Sequence, residues 1–352
     1  MKHYKIIGLM SGTSLDGLDI ALCDFTFDKE WDFRILEAET IPYSPGMKSE
    51  LQTLATGSAL DFVRAHVAFG KYCGELVAKF VKKTKYSPDF VASHGHTLFH
   101  QPLLGYTCQL GDGAALAVAS GFPVVCDFRT VDVALGGQGA PLVPIGDQLL
   151  FGKYTYCLNL GGIANISFDK SGSRIAFDIC GCNILLNHIA QKSGFDYDEN
   201  GTISAAGKVS QRLLDMLNEQ EYFSRPIPKS LGREDVQQIL SEILDSNEDN
   251  LSSEDQLATV VEHIALKIAK HSSTGTMYVT GGGAFNSHLI NRIKKFSKAT
   301  IVLPDPLLIN YKEALIFAFL GLKRWNGELN CLKSVTGARS DSIGGAIYLG
   351  AV

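Results

Sequence analysis

The sequence predicts an α/β protein of two domains, each with a mixed β-sheet flanked by helices. The 352 residues exceed the usual size of a single hydrophobic core. Predicted strands alternate with predicted helices, which is typical of mixed sheets covered by helices. Two three-strand openings with glycine turns, about 150 residues apart, indicate a duplicated β-β-β-α unit.

The first half opens with three strands and a long helix. Apolar residues predict strands over 4–9, 18–25 and 33–41, separated by a glycine-rich turn and a charged turn. Apolar residues at spacings of three, four or seven predict a helix over 60–83. Shorter elements follow: strands over 90–93, 107–110 and 123–126, and a helix of small residues over 114–120.

The second half repeats this opening. Strands over 154–160, 164–169 and 174–178 precede a helix over 184–192. The rest of the sequence alternates between predicted helices and predicted strands. It predicts helices over 204–218, 254–271, 284–296 and 311–325, and strands over 277–280 and 300–303.

Composition excludes several classes of partner. The net charge of −5 argues against a nucleic-acid or anionic-membrane partner, because either would favour a basic surface. The apolar stretches are too short for a signal peptide or a membrane helix, so we expect a cytoplasmic protein. Eight scattered cysteines form no C-x-x-C pair and no zinc-like spacing, so we expect reduced thiols and no metal cluster.

Three glycine-rich turns follow predicted strands. They lie at 11–17 (Ser-Gly-Thr-Ser-Leu-Asp-Gly), 158–165 and 279–286. Such turns offer unobstructed backbone N–H groups, which suit phosphate oxygens, but the same composition also makes ordinary turns. None matches the Walker or Rossmann pattern. Their distribution over a duplicated fold favours a nucleotide-binding role.

A polar cluster follows the predicted strand 90–93. It contains His94, His96 and His100 among hydroxyl and amide side chains. Metal binding is one interpretation, and a hydrogen-bonding wall for a polyol is an equally good one. A surface loop with incidental histidines is the remaining alternative.

Arg129 and Asp178 are the two charged side chains that suggest chemistry. The guanidinium of Arg129 suits a carboxylate or phosphate, although a salt bridge to Asp127 or Asp132 would also explain it. Asp178 ends the third predicted strand of the second half. It can act as a general base or cap the following helix. The glycine-rich stretch 136–141 between them predicts a flexible joint between the halves.

These segments together resemble the anhydro-N-acetylmuramic acid kinase family. The matching pieces are 8–19, 93–97 with Gln101-Pro102, 109–113, 127–129, 136–144, 159–165, 281–286 and 334–338. The resemblance spans essentially the whole chain. It implies two RNase-H-like domains of the actin-type ATPase class, with the active site between them, and domain boundaries at 1–128 plus 336–352 and 129–335.

The resemblance also implies a reaction. ATP phosphorylates O6 of 1,6-anhydro-N-acetylmuramic acid while water opens the anhydro bridge at C1, giving N-acetylmuramic acid 6-phosphate and ADP in cell-wall recycling. Asp178 would activate the water, and Arg129 would pair with the lactyl carboxylate of the sugar. A small-molecule sugar substrate, ATP, Mg²⁺ and a homodimer are the implied partners.

The implied site residues fall into two sets. The nucleotide set, which holds the phosphates with magnesium at its first eight members, is Gly12, Thr13, Ser14, Leu15, Asp16, Gly17, Leu18, Asp19, Gly161, Gly162, Gly281, Gly282 and Gly283. The candidate substrate set is His94, Thr97, Gln109, Asp112, Arg129 and Glu313.

One departure from the family pattern concerns the turn after Asp178. The family usually has Asp-Thr-Gly-Pro-Gly-Asn, whereas this chain has Asp-Ile-Cys-Gly-Cys-Asn over 178–183. A kinase for another anhydrosugar such as levoglucosan therefore stays an alternative, and so does a non-catalytic actin-like nucleotide-binding regulator. The lactyl group distinguishes the two sugars, and ADP release distinguishes an enzyme from a regulator.

Overall fold

The computed structural model describes residues 2–12, 15–245 and 250–350, without the side chains of Arg233 and Glu234. Its strands are, in chain order, β1 Lys2–Ser11, β2 Gly17–Phe27, β3 Trp31–Pro42, β4 Phe90–Gln101, β5 Tyr106–Leu110, β6 Val124–Cys126, β7 Tyr156–Leu160, β8 Ile163–Lys170, β9 Ser173–Gly181, β10 Gly275–Thr280, β11 Ala299–Val302 and β12 Ala346–Tyr348.

The helices connect and cover these strands. They are α1 Pro45–Thr53, α2 Ala59–Lys83, α3 Gly113–Ser120, α4 Thr130–Ala134, α5 Val143–Leu150, α6 Asn183–Lys192, α7 Thr202–Ala206, α8 Gln211–Asn218, α9 Arg233–Gln238, α10 Ser253–Lys270, α11 Ser287–Phe296, α12 Pro306–Trp325 and α13 Lys333–Thr336. Short 3₁₀ turns and one π-helical segment, Ile239–Leu244, complete the order. Among the described helices, none combines the length and the apolar character that crossing a membrane requires.

The chain divides into two compact units. The first comprises Met1–Leu150 and Tyr311–Val352, and the second comprises Phe151–Asn310. The boundaries inferred from the sequence assign 129–150 and 311–335 to the second domain, whereas both segments cluster with the first unit. Most of 311–335 lies on α12, whose Ala314 carbonyl closely approaches Gly8 of β1 in the first unit. Helices α4 and α5 give 129–150 a packed structure that its glycine-rich sequence does not predict.

The sheet of the first unit has the order β12-β6-β4-β1-β2-β3, with β5 paired to β4. The strands β1, β2 and β3 are antiparallel neighbours, and β4 and β6 join in parallel. Gly8 in the middle of β1 lets α12 approach the sheet, because a Cβ there would lie 1.9 Å from the Ala314 carbonyl oxygen. The long helix α2 starts at a capping box of Ser58 and Asp61 and covers the sheet with its apolar face.

The sheet of the second unit has the order β11-β10-β7-β8-β9. Its first three strands are again antiparallel neighbours, and β10 and β11 are again parallel. In both units, three antiparallel strands in the order third, second, first are followed by two parallel strands, which are β4 and β6 in the first unit and β10 and β11 in the second. This order is that of RNase-H-like domains. The predicted duplication and the α/β fold class are therefore confirmed. The strand β9 lies at one edge of its sheet, which matters below because Asp178 belongs to it.

Two further predictions differ from the structure, one in each unit. The predicted joint 136–141 lies inside the first unit, where Gly137 N–H donates to the Asp132 carbonyl at 2.9 Å and Gln138 N–H to that of Thr336 at 2.9 Å. The predicted helix 204–218 is divided into α7 and α8 at Gly207. A Cβ at Gly207 would lie 2.0 Å from the Glu254 carbonyl oxygen, so the chain makes a close approach there instead of continuing a helix.

Candidate functional site

The first glycine-rich turn connects β1 to β2 in the first unit. Leu15 has a φ of 57°, and its N–H donates to the Gly12 carbonyl at 3.3 Å. Gly17 begins β2 where a Cβ would lie 2.4 Å from the Ile41 carbonyl oxygen, so only glycine fits. Thr13 and Ser14, two of the predicted phosphate ligands, lie outside the described residues. The hydrogen bond from Leu15 to Gly12 brings the described ends of this turn close together.

Asp19 follows this turn on β2 and carries an unusual carboxylate. Burial raises its pKa to about 6, and the charges of Asp16 and Glu313 act in the same direction. The Thr40 hydroxyl opposes the shift by donating to Asp19 Oδ1 at 2.6 Å. Three carboxylates therefore influence one another in the first unit, and a bound cation would relieve their repulsion.

The strands β4 and β5 carry the predicted histidine cluster as a hairpin. His94 and His96 are each only 5% exposed, so the surface-loop interpretation is wrong. Gly95 between them has a φ of 75°, and its missing side chain lets the hairpin close, since a Cβ would lie 2.4 Å from the Leu110 carbonyl oxygen. The strand continues to Gln101, eight residues beyond its predicted end.

The two buried histidines have defined hydrogen-bonding roles. His94 Nδ1 lies 2.8 Å from the Gly95 carbonyl oxygen and must carry the proton, which leaves Nε2 as an acceptor. Burial and the charge of Arg129 hold the pKa of His94 well below its usual range. His96 Nδ1 lies 3.0 Å from Ser11 Oγ, which in turn accepts from the Tyr43 hydroxyl at 2.7 Å. Both imidazoles are therefore neutral polar groups, and hydrogen bonds hold each ring in place.

Arg129 is held by uncharged partners. Its Nε and Nη2 lie 3.1 and 2.8 Å from His94 Nε2, and its Nη1 donates to the Gly139 carbonyl at 2.6 Å. Burial lowers the pKa of Arg129 to about 10, and the nearby Glu313 opposes this shift. At neutral pH the guanidinium is still a cation.

The salt-bridge interpretation of Arg129 is not supported. Within the described residues, its guanidinium forms no ion pair with Asp127 or Asp132. Asp127 accepts from Thr130 instead, and the buried Asp132 accepts from the Gly139 N–H at 2.7 Å and from the Thr336 hydroxyl at 2.7 Å. Asp132 thereby fixes the Gly139 peptide that holds Arg129.

Glu313 lies on α12 near Arg129. The residue as a whole is exposed, but the protein around its carboxyl group still removes enough water to raise the pKa of that group. The charges of Arg129 and then Lys312 oppose this shift. The structure therefore brings Glu313 into electrostatic contact with both Arg129 and Asp19, which the sequence does not indicate.

A cavity of about 240 Å³ in the first unit is lined by several candidate substrate residues. His94, Gln109 and Asp112 contribute to its wall, and Gln109 Nε2 donates to the hydroxyls of Thr107 at 2.9 Å and Thr97 at 3.4 Å. Asp112 also has a structural role, because its Oδ1 caps α3 by accepting from Ala115 N–H at 2.7 Å. The structure thus groups His94, Thr97, Gln109 and Asp112 around one hairpin.

His66 on α2 was not predicted from the sequence, although it lines the same cavity. Its Nδ1 accepts from the Gly111 N–H at 3.2 Å, so its Nε2 carries the proton and lies 3.9 Å from Asp112 Oδ2. A single histidine on an otherwise ordinary amphipathic helix gives no sequence signal for such a role.

The two glycine loops of the second unit meet. Gly281 has a φ of 82°, and a Cβ there would lie 2.6 Å from Asn159 Oδ1 and 2.7 Å from the Leu160 carbonyl carbon. Asn183, at the start of α6, is hydrogen-bonded to the first of these loops. Its Nδ2 donates to the Leu160 carbonyl at 3.0 Å, and its backbone N–H donates to that of Gly161 at 3.1 Å. The predicted nucleotide residues of this unit therefore form one assembly.

Gly162 and Gly282 are the open positions of this assembly. A Cβ on Gly162 would meet nothing within 4 Å, and one on Gly282 would meet only Asn183 Nδ2 at 3.5 Å. Gly283 differs, because its Cβ would lie 2.8 Å from Leu160 Cβ. The open glycines leave room for a ligand, whereas Gly281 and Gly283 serve loop packing.

Asp178 lies inside β9, which continues to Gly181. It does not cap the following helix, because Cys182 is the N-cap residue of α6 and makes no side-chain capping bond. Burial raises the pKa of Asp178, and a hydrogen bond from the Leu231 N–H to its Oδ2 at 2.9 Å opposes the shift. The helix-cap interpretation is therefore wrong.

The altered turn after Asp178 is packed into the core of the second unit. Cys180 and Cys182 are 1% and 0% exposed and belong to the main apolar cluster. Both are free thiols, and burial raises the pKa of each. They act as small hydrophobic residues that replace the usual turn residues.

The residues described contain no group of three or more His, Cys, Asp or Glu side chains arranged to bind a metal ion. The metal interpretation of the histidine cluster therefore has no support in these residues.

Comparison with known proteins gives the family. The sequence model of the anhydro-N-acetylmuramic acid kinase family matches residues 4–350. The chain belongs to the anhydro-N-acetylmuramic acid kinase family. It is accordingly an ATP-dependent sugar kinase.

Relatives named anhydro-N-acetylmuramic acid kinase cover nearly the whole chain of this family member. The protein of Coxiella burnetii is 36% identical over 378 residues, which cover 99% of each chain. That of Shewanella loihica is 35% identical over 370 residues, with the same coverage. That of Acinetobacter baylyi is 35% identical over 376 residues, covering 97% of this chain and 98% of the relative.

Solved structures give weaker matches to this kinase. Component A of (R)-2-hydroxyglutaryl-CoA dehydratase from Acidaminococcus fermentans has a TM-score of 0.47 at 11% identity, covering 90% of this chain and 96% of the other. A ROK family glucokinase from Streptomyces griseus has a TM-score of 0.41 at 13% identity, covering 90% and 98%. TM-scores below 0.5 do not establish a common fold, so the fold class rests on the sheet topology.

Proposed function

We propose that this kinase phosphorylates O6 of 1,6-anhydro-N-acetylmuramic acid while water opens the anhydro ring, giving N-acetylmuramic acid 6-phosphate and ADP. The place of this reaction is the recycling of cell-wall sugars. The names of the relatives support the substrate, and the observation that carries the ring opening is the desolvated carboxylate of Asp178.

Asp178 is suited to remove a proton from water. A desolvated carboxylate has a raised pKa and is therefore a stronger base than an exposed one, while the Leu231 N–H keeps the ionised form accessible. Attack of the water oxygen on C1 breaks the C1–O6 bond. O6 then accepts the γ-phosphoryl group of ATP, and the proton of the water goes to Asp178.

Arg129 is suited to bind the lactyl carboxylate of the sugar. Its charge is desolvated, and its hydrogen-bonded partners are neutral, so a carboxylate would supply the missing counter-charge. Glu313, whose negative charge supports the ionised state of Arg129, would accept a hydrogen bond from a sugar hydroxyl. Thr97, Gln109 and Asp112 would donate or accept hydrogen bonds to the hydroxyl and amide groups of the sugar. His94 would act through Arg129, because both of its ring nitrogens are already hydrogen-bonded.

The nucleotide is assigned to the glycine turns. Gly161, Gly162 and Gly281 to Gly283 would bind it in the second unit, with Gly162 and Gly282 supplying open backbone. In the first unit, the turn from Gly12 to Asp19, with Leu15, Asp16, Gly17 and Leu18 between its described ends, would bind the phosphates. Thr13 and Ser14 belong to the same assignment by sequence alone.

The described residues fit a magnesium ion at this turn. Mg²⁺ usually binds through one or two carboxylates, phosphate oxygens and water, so it needs no cluster of protein ligands. Burial first, and then the charges of Asp16 and Glu313, raise the pKa of Asp19 to about 6, and a bound cation would offset both effects. Asp19 and Asp16 are the residues that would hold the ion, and the ion would neutralise charge on the transferred phosphoryl group.

ADP release tests this proposal. The purified kinase would be incubated with ATP, Mg²⁺ and each of three sugars: 1,6-anhydro-N-acetylmuramic acid, 1,6-anhydro-N-acetylglucosamine and levoglucosan. We expect turnover on the first sugar to exceed that on the two sugars without a lactyl group. In oxygen-18 water, the label should appear at C1 of the product and not in its phosphate.

Each contrary result has its own meaning. Equal or greater turnover on levoglucosan would show that the proposed substrate is wrong and that levoglucosan takes its place. Absence of sugar-dependent ADP release would show that the protein acts as a nucleotide-binding regulator and not as a sugar kinase. Label in the phosphate would exclude attack of water at C1.

A further inference from the structure

The segment 222–231 carries no recognisable motif, yet it wraps around the proposed base. The strand β9 is the edge strand of its sheet, so its outer backbone groups have no neighbouring strand. Segment 222–231 covers this edge at Asp178. The Asp178 N–H donates to the Lys229 carbonyl at 3.0 Å, and the Tyr222 hydroxyl donates to the Asp178 carbonyl at 2.6 Å.

The same segment holds the side chain of Asp178. The Leu231 N–H donates to Asp178 Oδ2 at 2.9 Å, so one residue is fixed at its backbone N–H, its carbonyl and its carboxylate. A bulge next to Asp178 adds to the local constraint. On the neighbouring strand β8, Asn165 pairs with Asp178 and Ala164 pairs with Cys180, which leaves Ile179 as the extra residue. Bulges change the direction of side chains and often occur beside active sites.

Segment 222–231 is itself well anchored. Lys229 Nζ donates to the Tyr222 carbonyl at 2.8 Å and lies 4.3 Å from the centre of the Tyr222 ring. Tyr222 and Leu231 are buried together in a small apolar cluster with Val236. An ion pair between Arg225 and Asp235, with N–O distances of 2.7 and 3.0 Å, closes the loop. The segment therefore presents a fixed set of donors to Asp178.

We propose that Tyr222 and Lys229 are positioning residues, which hold segment 222–231 so that the Leu231 N–H and the Tyr222 hydroxyl orient Asp178 for proton removal from water. This inference rests on the proposed function, because it assigns the surroundings of the same base. It gives a role to a region that the family motifs leave without one.

Several titratable groups surround Asp178. Cys180 lies on the same strand, and Tyr222 and Lys229 lie on the covering segment. The end of α10 adds Lys267 and Lys270, and His271 follows beside Phe177. The carboxylate itself responds to burial and to the Leu231 N–H. Weakening that hydrogen bond removes stabilisation from the ionised form, so the pKa of Asp178 should rise.

The test is the pH profile of kcat for Tyr222→Phe in the full-length kinase. The control is Tyr156→Phe, because the Tyr156 hydroxyl also forms hydrogen bonds inside the second unit, at 2.7 Å to Ser273 Oγ and 3.0 Å from the Ser273 N–H. We expect Tyr222→Phe to lower kcat about three- to tenfold, the usual effect of one hydrogen bond. The acid limb should move to higher pH by up to about one unit, with an unchanged KM for ATP.

A second pair of variants keeps the test decisive if Tyr222→Phe does not fold. Lys229→Met removes the ammonium that holds Tyr222. Lys294→Met removes an exposed charge of α11 in the same unit, for which the described residues show no hydrogen bond or ion pair. We expect the acid limb to move in Lys229→Met and to stay in Lys294→Met and Tyr156→Phe. Lower thermal stability without any movement of the acid limb would overturn the positioning role.

Asp178→Asn separates this inference from the proposed function. If Asp178→Asn is inactive and both positioning variants keep the wild-type profile, the base stands and the positioning role is wrong. If Asp178→Asn keeps near wild-type turnover, the base itself lies elsewhere, and the positioning role fails with it.

Discussion

The first and second units each contain a half-buried charged group whose hydrogen-bonding partners are uncharged, but they hold it by different means. Arg129 is bound by His94 and the Gly139 carbonyl, which belong to segments that the sequence already marks as polar or glycine-rich. Asp178 is bound through its backbone and one oxygen by segment 222–231, which has no motif. The residues that hold Arg129 therefore lie in segments that can be recognised in the sequence, whereas those that hold Asp178 do not.

The two charges should also respond differently to changes around them. Arg129 keeps its charge at neutral pH even with a pKa lowered to about 10, so its neighbours control where the cation lies. Asp178 has a raised pKa, so its neighbours also control whether it is ionised. Changes near Arg129 should affect sugar binding, whereas changes near Asp178 should affect kcat and its pH dependence.

The largest expected effect is that of Asp178→Asn. The amide keeps the shape of the side chain but cannot accept the proton of water, so kcat should fall by about 10²–10⁴, the range of general-base catalysis. ATP affinity, measured by equilibrium binding, should change little. The structure removes the capping role as an explanation, since Cys182 is the N-cap of α6. Turnover near that of the wild type would show that Asp178 is not the base, and its ionisation would then not control kcat.

Arg129→Ala should have the next largest effect, this time on binding. Loss of the guanidinium leaves the lactyl carboxylate without its partner and should weaken the muramyl substrate by roughly 2–5 kcal/mol, seen in kcat/KM. Activity on 1,6-anhydro-N-acetylglucosamine, which lacks the lactyl group, should change much less. Equal losses on both sugars would show that Arg129 supports the structure of the first unit instead of selecting the sugar.

His94→Leu should reproduce part of the Arg129 effect. The substitution removes the acceptor of two guanidinium contacts, and a hydrogen bond to a charged group contributes about 1.5–3 kcal/mol, so KM for the sugar should rise about ten- to a hundredfold. His94→Gln, which keeps an acceptor, should recover much of the loss. His96→Leu is the matched control, because His96 contacts Ser11 and not Arg129. Identical kinetics for His94→Leu and His96→Leu would refute the specific role of His94.

The smallest effect should come from the open glycine of the second unit. Gly282→Val should raise the KM for ATP about tenfold, the order of magnitude of a 1.4 kcal/mol loss of binding, while circular dichroism shows a folded protein. Space exists for the side chain in the unliganded loop, since the nearest atom to a Cβ is 3.5 Å away. Gly283→Ala offers the contrast, because its Cβ would meet Leu160 Cβ at 2.8 Å and should lower thermal stability. An unchanged KM in Gly282→Val would remove Gly282 from the nucleotide site.

The sequence by itself determines the architecture of both units. Strand and helix patterns are local, so the two β-β-β-α openings, the helix over 60–83 and the fold class follow from periodicity and glycine turns. The family motifs likewise identify the chain as a kinase, because they are continuous in sequence. The strand β4 exceeds its predicted length because polar residues such as His94 and His96 are buried in a hairpin, which contradicts their usual preference for loops.

Only the tertiary structure decides how the charged groups are held. His94 accepts from Arg129 at Nε2 because its single ring proton lies on Nδ1 and is donated to the Gly95 carbonyl, and the pairing with Arg129 joins positions 35 residues apart. Leu231 reaches Asp178 with a backbone N–H across 53 residues, and a backbone donor is present at every residue except proline, so it leaves no signal in the sequence. Periodicity records which residues are buried locally, whereas the state of a buried charge depends on the partners that folding brings to it.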